Sequence, residues 1–228
     1  MTTISIHQPV YLPWLGFFEK VISSEKFVFL DDVQFEKNGF QNRNKIRTYD
    51  GEMWLTVPVK AKSQTLLKDV KINYSTDWIN KHKKSIILNY QKAKFFDKYW
   101  LELEKIYDEK YEYLLELNME VIKFLFSKLK IKKEILVSSE LHISAKGSDR
   151  ILEICKILDV NRYISGITGK KYLLIDDFKH HKIKLEFQNF QHPIYQQVFD
   201  PFYPNMAIID LLFNEGDNAM KIIKKEMI

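Results

Sequence analysis

Apolar positions along the chain fall into three regimes. Over residues 1–75 they come in short compact runs. ISIHQ and KFVFLDDVQF read as strands, with β-branched and aromatic residues clustered, and LGFFEKVISSE between them reads as a short helix. NKIRTYDGEMWLTVPV reads as a hairpin with Asp50-Gly51 at its turn. Over residues 76–133 the spacing becomes helical. Trp78, Ile79, His82, Ile86, Tyr90 and Ala93 recur at three and four, as do Leu103, Ile106, Tyr107, Leu114, Leu117, Val121, Leu125 and Leu129. Two long helices, paired antiparallel, are expected there. Over residues 134–228 the regimes alternate. EILVSS, NRYISG and KIKLEFQNF read as strands. SDRILEICKILD, capped by Ser148, GKKYLLIDDF and AIIDLLFNEG, stopped by Gly216, read as helices. Alternating strands and helices favour parallel strands covered by helices. The expected fold is a single α/β domain over residues 1–228, with a mostly parallel Rossmann-like sheet and a helical insertion at 76–133.

Composition adds exclusions. With 228 residues, 46% of them hydrophobic and 29% charged, the chain can bury a core without staples. No apolar run is long enough to span a membrane. MTTISIHQP lacks a basic region followed by an apolar core, so no signal peptide is expected. A single Cys excludes a disulfide framework and a cysteine zinc cluster, and it points to the cytosol. Cys155 falls beside an apolar helix face and reads as a small buried side chain. Net charge is +5, but residues 60–133 hold 17 Lys and 10 Asp/Glu, leaving −2 for the rest. That Lys-rich stretch is either a solvated face or a docking surface for an acidic partner.

Three clusters carry candidate chemistry. In IHQPVYLPWLGFFEK, His7 and Gln8 end the first strand, where ligands bind in open α/β sheets. His7 is a candidate general base, and Tyr11 and Trp14 offer flat surfaces for a sugar or base. In LDDVQFEKNGFQNRNKI, Asp31 and Gln34 end the next strand, Lys37 and Arg43 are candidate phosphate clamps, and Asn42 can read a polar ligand. In QNFQHPIYQQVFDPFYPN, His192 follows a strand with Tyr195 and Gln196 nearby, placed to face His7 across the sheet edge. Each cluster has a plainer reading as a hydrogen-bonded turn or a solvated loop. ISGITGKKY can offer backbone N–H groups to an anion but is no Walker loop. No dinucleotide fingerprint, nucleophile elbow, metal-ligand motif or nucleic-acid signature is present, so no metal site and no nucleic-acid partner are expected.

Taken in order, IHQPVYLPWLGFFEKV, DDVQFEKNGFQNRNKI, WLTVPV, ILVSSEL, RYISG with GKKY, HPIYQQ and IIDLLFNEG resemble the WbqC-like protein family over nearly the whole chain. One departure is Met206-Ala207, where the family commonly has Leu-Ser before the IID segment. The resemblance implies a bacterial protein of O-antigen or related surface-polysaccharide biosynthesis, with aminoacyl transfer to an amino sugar as its activity and glycine as one candidate for the acyl group. Carried onto this chain, it implies a site containing His7, Gln8, Tyr11, Trp14, Lys20, Gln34, Lys37, Asn42, Arg43, His192 and Tyr195. The reaction implied is amide formation on a nucleotide-linked amino sugar. His7 or His192 would accept the proton, Gln8 or Gln34 would hold the oxyanion, and Arg43 with Lys37 would hold the diphosphate. An aminoacyl carrier protein is one expected donor, docking on the Lys-rich insertion. ATP, activating the acid as an adenylate, is the alternative, by analogy with nucleotidyltransferase-type folds. A non-catalytic sugar-nucleotide-binding protein is the reading from a different class.

Overall fold

A computed structural model describes residues 2–225. Its centre is a sheet of five parallel strands, β1 (Thr3–His7), β2 (Lys26–Phe29), β7 (Glu134–Val137), β8 (Arg162–Ser165) and β9 (Lys184–Phe187), in the spatial order β7-β2-β1-β8-β9. The chain first builds outward from β1 to β2 and β7. It then returns to the other side of β1 for β8 and β9. The expected α/β fold with a parallel sheet and an inserted helical segment is therefore what forms. Strands buried on both faces explain the compact apolar runs. On β1, Ile4 and Ile6 face one core with Ile151, Ile154 and the buried Cys155. On β2, Phe27 and Phe29 face the larger core with Phe17 and Phe18 of α1 (Leu15–Ile22).

Everything between β2 and β7 is inserted into one crossover. It begins with a hairpin, β3 (Arg43–Thr48) and β4 (Gly51–Thr56), followed by a two-stranded ribbon, β5 (Val59–Lys60) and β6 (Lys71–Ile72). Thr48 pairs with Gly51, so the turn is Tyr49-Asp50, one residue earlier than expected, and Gly51 opens the returning strand at φ +134°. Three helices follow where two were expected: α2 (Trp78–Tyr90), α3 (Phe96–Asp108) and α4 (Leu114–Lys128). The second helical run is broken because residues 111–114 pair with the ribbon. Ile72 N–H donates to Glu112 O at 3.0 Å and Leu114 N–H to Val70 O at 2.8 Å. A tertiary ladder thus overrides an unbroken three-four spacing.

The second half departs less. α5 (Gly147–Ile157) starts one residue before Ser148, whose hydroxyl instead accepts the Leu174 N–H at 2.9 Å; the expected cap is a tertiary clasp. GKKYLLIDDF divides into a short 3₁₀ turn and α6 (Ile175–His180). α7 (Ile208–Glu215) ends at Gly216, at φ +54°, where a Cβ would meet the Phe95 ring at 2.6 Å. α8 (Ala219–Lys225) closes the described chain. Among the described residues no helix is long and apolar enough to cross a membrane.

Candidate functional site

β1 and β8 lie side by side while their connections depart to opposite halves of the sheet. Their carboxyl ends therefore part around a crevice, the place where open α/β sheets bind ligands. A cleft of about 480 Å³ occupies this position. His7 and Gln8 come from the end of β1, Gly166 to Thr168 from the end of β8, and Gln188 to Phe190 from the end of β9. Trp14, Gly16 and Lys20 come from α1 and its approach, and Glu36 to Gln41 from the loop after β2.

Each wall is fixed by polar contacts. Gln41 donates to Gln8 Oε1 at 2.7 Å, accepts the Glu36 N–H at 2.7 Å, and receives Asn118 on its carbonyl at 2.8 Å. With its oxygen engaged, Gln8 keeps its amide N–H groups for the cleft. Gln188 donates to Gly16 O at 2.7 Å and to the Glu19 carboxylate, tying the β9 loop to α1. Trp14 stands edge-on to Phe190, with ring centroids 5.2 Å apart. A Cβ at Gly16 would lie 2.4 Å from the indole, so glycine is what lets Trp14 fold over the start of α1.

Two titratable groups share the floor. The His7 Nδ1 is 2.8 Å from Gln8 O, and the ring sits edge-on to Phe17 at 5.3 Å. Donation of Nδ1–H to that carbonyl leaves Nε2 with a free lone pair. Desolvation, with Lys20 nearby, lowers the His7 pKa to about 3. Lys20 is 2% exposed and donates to Ile6 O at 2.9 Å. Burial lowers its pKa to about 7. At neutral pH the imidazole is uncharged and the amine is divided between its two forms.

Of the residues singled out in the sequence, the cleft unites His7, Gln8, Trp14 and Lys20. The others lie elsewhere. Tyr11 is fully buried, 3.0 Å from His82 Nδ1 and hydrogen-bonded to Tyr107, so it offers no face to a ligand. Asp31 bolts β2 to the start of the segment after β7, accepting Ser139 N–H at 3.0 Å and Ser139 Oγ at 2.6 Å. Asn42 donates to Val57 O at 2.9 Å and brackets the hairpin. Arg43 stacks on Trp54 at 4.3 Å and donates to Asn38 O. Gln34 and Lys37 line a separate outer crevice.

The third cluster also divides. His192 packs among Phe190, Tyr195 and Phe202 instead of facing His7, and burial lowers its pKa. Tyr195 is buried and donates to Asp210 at 2.7 Å, while Gln196 is exposed. Ala207, the site of the departure from Leu-Ser, is the buried N-cap of α7 and does not line the cleft. A serine there stands where it caps a helix.

Gln41, Gly166, Gln188 and Phe190 are among the cleft residues the sequence reading did not single out by role. Gln41 lies in the QNRN segment, Gly166 in the glycine turn and Gln188 at a strand end, so these three had a local signal and Phe190 had none.

Comparison with known proteins agrees with the fold-wide motif pattern. An uncharacterized protein of Mycobacterium tuberculosis is 29% identical over 223 residues, covering 96% of each chain. No solved structure matches. The profile of the WbqC-like protein family matches residues 8–222, and the chain belongs to that family.

Proposed function

We propose that this chain transfers an aminoacyl group, glycyl in the simplest case, onto the amine of a nucleotide-linked amino sugar for surface-polysaccharide assembly. The amine nitrogen attacks the activated carbonyl, the C–N bond forms, and the bond from carbonyl carbon to the donor's leaving group breaks. The proton shed by nitrogen passes to the leaving group. The observation that carries this reading is the uncharged imidazole of His7 beside the free amide N–H groups of Gln8 at the switch-point cleft. His7 Nε2, whose lone pair is free because Nδ1–H is spent on Gln8 O, takes the proton and passes it to the leaving group. Gln8 donates to the oxygen that becomes negative in the tetrahedral intermediate. Trp14, at the wall, supplies a flat face for the sugar. His192 and Arg43, outside the cleft, take no part. The cytosol, with nucleotide sugars and either an acyl carrier protein or ATP with free amino acid as donor source, is the setting this chemistry needs.

The test is binding first and turnover second. A nucleotide sugar at about 100 times its Kd stabilises by about 2.7 kcal/mol, which for a chain of this size raises the Tm by roughly 5–10 °C. Mass spectrometry then looks for the amide product. His7→Ala is expected to lower turnover by at least about a hundredfold while binding persists. Release of AMP during turnover identifies acid activation by ATP. Tight binding without product under either donor establishes a binding protein instead. No shift with UDP- or TDP-linked amino sugars removes the proposal.

A further inference from the structure

We propose that Lys20 is the receptor for the diphosphate of the nucleotide-linked ligand, holding a phosphoryl oxygen at the floor of the cleft. This rests on the nucleotide-sugar reading and moves the anion away from Arg43 and Lys37, where the sequence placed it.

Among the described residues lining the cleft, Lys20 is the one lysine or arginine. It is also the one lysine buried among the described residues. A buried ammonium is normally balanced by a carboxylate. Lys20 has a single protein hydrogen bond, to Ile6 O at 2.9 Å, and no carboxylate in ion-pair contact among the described residues. Its sequence neighbour Glu19 is near enough to raise the Lys20 pKa somewhat, against the larger effect of burial, but makes no ion pair with it and has both oxygens engaged by other groups. One Glu19 oxygen accepts the Ser23 hydroxyl at 3.2 Å and the other accepts Gln188. Across the cleft, Glu36 is exposed, and His7 on β1 is uncharged. The 166–168 and 188–190 loops bring no charged side chain. The counter-charge that the site lacks is therefore supplied by what enters the cleft.

Access fits the same reading. From the β8 side the amine is approached past Gly166, where even a Cβ would stand 4.0 Å from Nζ. Bare backbone there leaves room for a phosphoryl group. The mouth is flanked by Phe40 and Ile167, which are 52% and 57% exposed and suit the flat end of a nucleoside. Arg43, by contrast, is spent on Trp54 and Asn38 O.

The consequence is proton-coupled binding. Free Lys20 has a pKa of about 7, and a bound anion restores the charged form. Calorimetric titration with UDP-glucose and TDP-glucose, whose diphosphate diesters do not titrate near neutrality, reads this directly. In buffers of different ionisation enthalpy at pH 7.5, wild type is expected to take up between about half a proton and one proton per ligand bound. Lys20→Met is expected to lose the uptake and at least about tenfold in affinity. Lys20→Arg, always charged, is expected to bind without uptake. Arg43→Ala is expected to bind like wild type, since Arg43 lies outside the cleft.

Wild-type affinity in Lys20→Met overturns the assignment, as does uptake that persists in it. Failure of both sugar nucleotides to bind at millimolar concentration also overturns it. The wild-type uptake alone tests the assignment should the variant not fold. Binding through Lys20 with no amide product in any donor mixture refutes the transferase reading and leaves this assignment standing.

Discussion

Replacing Lys20 by Met is expected to make the protein more stable at neutral pH. The side chain is 2% exposed, and its pKa falls from 10.5 to about 7, chiefly by desolvation. That lowering corresponds to about 5 kcal/mol between the charged forms in the folded and unfolded chain, and about 4 kcal/mol of it acts at pH 7. The folded value is the lower one, so between pH 7 and pH 10.5 the unfolded chain binds more protons. Stability therefore climbs with pH across that window, by up to about 1.4 kcal/mol per pH step. Below about pH 7 the penalty is constant. Above pH 10.5 it vanishes. Met fills a similar volume with no charge to desolvate. It gives up the hydrogen bond to Ile6 O and leaves that carbonyl without a partner, which costs about 1–3 kcal/mol.

The balance at pH 7 favours Lys20→Met by about 2 kcal/mol, or roughly 4–8 °C in Tm. Near pH 10 the gap closes and then reverses. Urea unfolding followed by the fluorescence of the four tryptophans, at pH 7 and at pH 9.5, measures both points. A variant less stable than wild type at pH 7 refutes the reasoning. So does a difference that does not change with pH. The expected outcome marks Lys20 as a residue kept at the expense of stability, as groups serving a ligand commonly are.

Acid is expected to destabilise the protein through its buried imidazoles. Desolvation lowers His7 to about 3 and His82 to about 4, against 6.5 in the unfolded chain. The unfolded chain thus binds more protons below pH 6.5, and each histidine removes roughly 3 kcal/mol between pH 6.5 and pH 4. Thermal unfolding across that range checks it, and His7→Gln should remove about half of the slope; an unaltered slope excludes His7 as a source. Tyr11→Phe strands His82 and Tyr107 in the core, with an expected cost of about 1–3 kcal/mol in urea unfolding, and a neutral result means the triad contributes nothing. Burial raises the Cys155 thiol to about 12, so a thiol reagent at pH 8 should label it only after denaturation. Fast labelling of the native protein contradicts that burial.

How far the site could be read from the sequence depends on where its parts come from. His7, Gln8, Trp14 and Lys20 span a single strand-turn-helix: a local rule about strand ends finds His7 and Gln8, the flat indole marks Trp14, and Lys20 is named only by the family resemblance. Gly166 and Gln188 reach them only because β8 pairs with β1 and β9 with β8, a pairing no local pattern states. The inner strands β1, β2 and β8 were legible because burial on both faces demands compact apolar runs. The break between α3 and α4 was not, because its cause is a bond network with Val70 and Ile72.

The same limit governs polar residues. Asp31, Asn42 and Tyr195 have the composition of ligand contacts, yet each satisfies a buried backbone or side-chain group. A buried polar group needs a partner whether that partner is protein or ligand, so residue type cannot separate the two. What separates them is the accounting of partners in the folded chain. Asp31 has its partners in Ser138 and Ser139, and Arg43 has its own in Asn38 and Trp54. Lys20 ends that accounting with a single carbonyl and a charge left over. In a chain whose basic residues are almost all lysines, residue type gave no reason to prefer this one; only its desolvation at the switch point does.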